Sequence, residues 1–172
     1  MNRWHNPNII SFAGALPDIV SGKRTPREFL ERCLDVIAAR EKTVKAFVVL
    51  DAKGARKAAD EATKRYRAGK PLSPVDGMPI AVKDIIATAG LPTGMNCPAF
   101  KGWQSGQDAA CVAAMRHGGA VIVGKSVTTE FAIGYSGPTT NPFDPARTPG
   151  GSSSGSAAAV GAGMVSAAFG TQ

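Results

Sequence analysis

Lys83 stands inside Pro79-Ile80-Ala81-Val82-Lys83-Asp84-Ile85-Ile86, a run whose neighbours have no reason to face water. Burying an ammonium is costly. A lysine there pairs with an acid, snorkels outward along its methylene stem, or gives up its proton. In the last state it is a competent general base. The second chemical stretch is Pro149-Gly150-Gly151-Ser152-Ser153-Ser154-Gly155-Ser156, which runs straight into Ala157-Ala158-Ala159-Val160. A flexible linker has such a composition. A linker would not lead at once into a small-residue helix and an apolar strand. The favoured reading is a backbone packed so closely that only glycine and serine fit, with hydroxyls and amides converging at a helix N-terminus.

Two pattern matches mislead. Residues 119–126 satisfy the phosphate-loop spacing, from Gly119 through Gly124-Lys125-Ser126. That loop must curl backbone amides around phosphate, whereas Ala120-Val121-Ile122-Val123 is strand material. Residues 151–155 satisfy the G-x-S-x-G nucleophile elbow, with Ser153 at its centre. An elbow needs a strand before the serine and a histidine after it. Asp144 to Pro149 reads as a loop, and both histidines, His5 and His117, lie upstream. A histidine-based triad is rejected.

The 172 residues suit one domain, and 44% hydrophobic with 19% charged residues is globular composition. No uninterrupted apolar run reaches the ~18 residues of a membrane span. The apolar stretch Ile9 to Leu16 is closed by Pro17 and Asp18 and preceded only by Arg3, so it is not read as a signal peptide. Cys33, Cys97 and Cys111 fit neither a disulfide framework nor a metal clip, and two histidines add no zinc site. The expectation is a reduced, cytoplasmic protein without metal or cofactor.

Net charge is +7, but its distribution argues against nucleic acid as a partner. Residues 1–70 carry 15 Lys/Arg against 8 Asp/Glu, while residues 71–172 carry 5 of each. The excess, including Arg56, Lys57, Lys64, Arg65 and Arg67, is interleaved with acids on amphipathic helices, as on a solvated face. Glycine divides the chain at the same place, 4 before residue 71 and 16 after. The expected organisation is an N-terminal helical layer over 1–70 and an α/β core over 71–172, within one domain.

The positioning elements follow from local signals. Thr25-Pro26-Arg27-Glu28 opens a helix as N-cap, first-turn proline and capping-box glutamate. Phe29, Leu30, Cys33, Leu34, Ile37 and Ala38 make its buried stripe. Lys45 to Leu50 reads as a strand. Asp51 then caps a helix with the small face Ala55, Ala58, Ala59 and Ala62, ending near Gly69. Further strands are expected at 79–86, 120–123 and 165–169, and helices at 108–117, 128–133 and 154–163. Strands alternating with helices imply an α/β layered fold.

Together these residues resemble the amidase signature family, serine hydrolases that use a Ser-cisSer-Lys triad. The matching blocks are Gly77 to Asp84, Cys97 to Phe100, Gly119 to Lys125, Glu130-Phe131, Asn141 to Asp144 and Pro149 to Ala158. The resemblance implies a layered α/β/α fold around a mixed central sheet, incomplete in this chain. It implies Lys83 as catalytic base and Ser152 as the bridging serine behind a cis peptide bond, with Gly150 and Gly151 permitting that backbone. Ser153 becomes a supporting hydrogen-bond residue, and Lys125 and Glu130 are structural. In such enzymes the lysine draws a proton through the bridging serine from a nucleophilic serine, which forms an acyl-enzyme.

By the family's spacing that nucleophile lies four residues past Gln172, and members are more than twice this long. The expectation is therefore an N-terminal fragment, inactive and marginally folded alone. Gln172 stands where many members have Asp. The implied partner is a small-molecule amide, without membrane, and a homodimer stays open. A glutamyl-tRNA amidotransferase A-type subunit is the alternative, though Ser136 to Thr140 looks short for that branch, which tilts the reading toward a free-standing amidase. A non-catalytic assembly protein that kept the fold is the third reading. A reading frame continuing past codon 172 into Thr-Gly-Gly-Ser would separate the third from the others.

Overall fold

A computed structural model describes residues 9–172, so Arg3 and His5 lie outside the described residues. The chain runs through helix α1 (Phe12–Val20), α2 (Pro26–Val44), strand β1 (Phe47–Leu50), α3 (Ala52–Arg67) and β2 (Pro79–Lys83). It continues through α4 (Ala110–His117), β3 (Val121–Ser126), α5 (Ser154–Gly161) and β4 (Ala167–Phe169). Single 3₁₀ turns lie at Pro98–Phe100 and Glu130–Ala132.

The strands form one mixed sheet in the order β1-β3-β2-β4. β2 is parallel to both β3 and β4, and β1 is antiparallel to β3. Alternation along the strands sends their side chains to two cores. Ala81, Val121 and Val123 pack with Leu30, Leu34 and Ile37 of α2, Ala55 and Ala59 of α3, and Ala158 and Ala159 of α5. Ile80, Val82 and Ile122 pack on the other face with Val112 of α4 and Leu91. The result is an α/β/α layering. Because β1 pairs with β3, and α2 and α3 pack on the sheet, elements from 1–70 and 71–172 share these cores.

Several expected boundaries shift for physical reasons. β2 stops at Lys83, because the Ile86 amide turns back onto the Lys83 carbonyl. β3 extends to Ser126, since Gly124, Lys125 and Ser126 are paired on both sides by β1 and β2. Glycine and lysine look like turn residues in isolation, and pairing overrides that preference. The phosphate-loop pattern is thus a buried strand. The expected helix at 128–133 shrinks to a 3₁₀ turn, with Phe131 and Ala132 at positive φ.

Helix α1 is an element that the apolar stretch did not announce. Ser11 caps it by accepting from the Gly14 amide, and Phe12 and Ile19 are buried against α2. Phe12 meets Phe29 edge-on, with ring centroids 5.2 Å apart. Pro17 lies within this nine-residue helix, where it removes one donor without stopping the turn.

The basic helices carry partners. Arg27 pairs with Glu31 and Asp60, Arg56 with Glu31, Lys64 with Glu61, and Arg65 with Asp76. Among the described residues no helix is long and apolar enough to cross a membrane, and no three metal-capable side chains cluster.

Candidate active site

The site forms at the C-terminal end of β2, where the edge strand β4 and the N-terminus of α5 meet. Lys83 is fully buried. Its Nζ lies 2.7 Å from Ser152 Oγ and 2.7 Å from Thr171 Oγ1. Among the described residues no carboxylate lies within ion-pair range of Lys83, so the paired-lysine and snorkelling readings both fail. Burial alone pushes this amine below the ordinary lysine value. A neutral amine can donate to one hydroxyl and accept from the other.

Asp84, the adjacent acid, serves a different lysine. Lys125 is also fully buried, with Nζ 3.5 Å from Asp84 Oδ1 and 2.6 Å from Thr93 Oγ1. Burial pushes Lys125 down, and Asp84 opposes that shift. Burial pushes Asp84 up, opposed by Lys125 and by the Gly94 and Met95 amides. Two buried lysines on neighbouring strands therefore differ in kind. One has a counter-ion and the other has only hydroxyls.

Ser152 is placed by its backbone. The Gly151–Ser152 peptide bond is cis, and the Thr129 amide donates to the Ser152 carbonyl at 3.0 Å. Gly150 has φ of +86°, a left-handed conformation natural only to glycine. Ser153 is the N-cap of α5, yet its side chain caps nothing. Its Oγ instead accepts from the Thr171 amide at 3.1 Å and donates to the Thr171 carbonyl at 3.3 Å. Gly155 lets α5 approach the sheet, because a Cβ there would overlap the Ala46 carbonyl oxygen and the Val127 amide. Ser156 joins the layers by donating to the Phe169 carbonyl at 2.8 Å, with Ser126 Oγ 2.7 Å away.

The structure thus brings Lys83, Ser152 and Ser153 into one cluster, with Gly150 and Gly151 as the approach to it. Glu130 opens its 3₁₀ turn, and its amide donates to the Tyr135 carbonyl at 3.0 Å. Thr171 is the cluster member that sequence reasoning left out. Val82 pairs with Phe169, which carries residue 171 past the end of β4 alongside Lys83. Nothing local in Gly170-Thr171-Gln172 announces that neighbour.

The Amidase family model matches residues 28–172. The chain belongs to the amidase signature family. The A-type subunit of glutamyl-tRNA(Gln) amidotransferase from Chloroflexus aurantiacus is 42% identical over 99% of this chain and 36% of its own length. Its counterpart from Acidothermus cellulolyticus is 42% identical over 91% of this chain and 32% of its own. Among solved structures, the native peptide amidase of Stenotrophomonas maltophilia superposes with a TM-score of 0.85 at 32% identity. That match covers 92% of this chain and 35% of the other. This amidase signature chain therefore spans about a third of the length of the relatives it matches. Its layered mixed sheet is the fold of those amidases.

Proposed function

We propose that this amidase signature chain carries the base and the bridging hydroxyl of an amide C–N bond-cleaving site. The observation that carries the reading is a buried amine without a counter-ion, 2.7 Å from the Ser152 hydroxyl. In this reading neutral Lys83 accepts the Ser152 proton while Ser152 Oγ takes the proton of a nucleophilic serine. That serine lies outside residues 1–172. Its oxygen attacks the amide carbonyl, forming a carbon–oxygen bond. The relay then returns the proton to the leaving amine as the carbon–nitrogen bond breaks. Water repeats the sequence on the acyl-enzyme, releasing the acid and restoring the serine.

The substrate is a small or linear amide. A second reading, one component of an amidotransferase that passes ammonia to an aminoacyl-tRNA, rests on the 42% identity to the Chloroflexus protein. Both readings use the same first half-reaction. Ammonia release from primary amides by the full-length protein tests them together. Lys83→Ala and Ser152→Ala are each expected to lower kcat on the order of 10³-fold or more. Wild-type turnover in either variant would refute the reading. Release from simple amides without a partner favours the free-standing amidase, and release only from glutamine with partner proteins favours the second reading.

A further inference from the structure

Resting on the base-and-bridge reading, we infer that Thr171 is a positioning residue for Lys83 and that Ser153 holds it in place. A neutral amine has one lone pair, and that pair must face Ser152 to accept its proton. The two N–H bonds then need an acceptor elsewhere, and Thr171 Oγ1 lies 2.7 Å from Nζ. By accepting there, Thr171 fixes rotation about the terminal C–N bond and aims the lone pair at Ser152 Oγ. An amine free to rotate in a buried site has no such direction.

The threonine is itself restrained. Ser153 Oγ bonds both main-chain polar atoms of Thr171, the amide at 3.1 Å and the carbonyl at 3.3 Å. This engages the hydroxyl's single donor and one of its lone pairs, so Ser153 is turned toward Thr171 while its side chain leaves the α5 amides uncapped. Gly170 completes the clamp, since a Cβ there would stand 2.9 Å from Ser153 Oγ. The contacts close a ring from Lys83 to Ser152, along the chain to Ser153, across to Thr171 and back to Lys83. Base and bridge are thereby referenced to one another through α5 as well as directly.

The test uses the full-length enzyme, a primary amide and full kinetics. Thr171→Val keeps the shape and both main-chain bonds while deleting the hydroxyl. It is expected to lower kcat about 10- to 100-fold with KM nearly unchanged, the loss typical of a misaimed catalytic group. Thr171→Ser restores the hydroxyl and should recover most of that loss. Ser153→Ala should lower kcat less, and Ser153→Ala/Thr171→Val should be no worse than the valine variant alone. Should the valine protein not fold, Thr171→Ala carries the same comparison. Wild-type kcat in the hydroxyl-deleted protein, a loss confined to KM, or losses that multiply in the double variant would each overturn the inference. Activity persisting in Lys83→Ala would instead overturn the reading beneath it.

Discussion

A lysine amine that titrates low leaves two marks on pH dependence, and they share a sign. In the proposed reading Lys83 must be neutral, so kcat/KM rises with pH as its proton leaves. Burial holds its value below 10.5, so the midpoint of that rise falls below the ordinary lysine range. Folding stability moves the same way. Between the depressed folded value and 10.5 the unfolded chain binds more protons, so stability increases with pH across that window. Lys83→Met removes the Lys83 share of that slope along with the activity, leaving the share of Lys125, which burial also lowers, and chemical denaturation at several pH values measures the difference. An unchanged slope would mean that Lys83 titrates like an exposed lysine. Lys83 was legible in the sequence because a cation in an apolar strand is an exception to burial rules. Thr171 was not, because a threonine in a loop breaks no rule.

At the scale of elements, local signals were readable where the chain satisfies its own polar groups. Thr25 and Glu28 form the expected capping box, with Glu28 Oε2 accepting from the Thr25 amide at 2.8 Å. Signals failed where pairing or packing supplied the answer, as at Gly124 in β3 and Pro17 in α1. Gly155 is the clearest case of packing expressed as composition. A Cβ added there would run into the Ala46 carbonyl oxygen and the Val127 amide, and the Gly155 amide donates to the Val127 carbonyl at 2.9 Å. Helix propensity alone favours alanine at that position by about 1 kcal/mol. The close approach reverses the sign, since an added methyl must push α5 off the sheet. Gly155→Ala is therefore expected to destabilise by about 2 kcal/mol or more. It should also separate Ser152 from Lys83 and lower kcat. A melting temperature equal to or above wild type would show that α5 has room to spare.

At the scale of the whole molecule, the sheet order was the least legible feature, because strand neighbours separated by tens of residues leave no local trace. That order has a consequence for residues 1–172 in isolation. β1 and β4 are the sheet edges and pair on one side only among the described residues. Val48 and Leu50 on β1 are 46% and 42% exposed, so one edge is apolar as well as unpaired. Proteins that tolerate exposed edges protect them with charge, proline or a bulge. β1 carries no charge or proline between Phe47 and Leu50, although its register shifts between Phe47 and Val49. Residues 1–172 produced by themselves are therefore expected to self-associate as concentration rises, which sedimentation velocity will measure. Val48→Lys/Leu50→Lys should shift the distribution toward monomer without unfolding the cores, because both side chains already face solvent. A single monomeric boundary at every concentration, unchanged by the two lysines, would show that the bulged edge is protection enough.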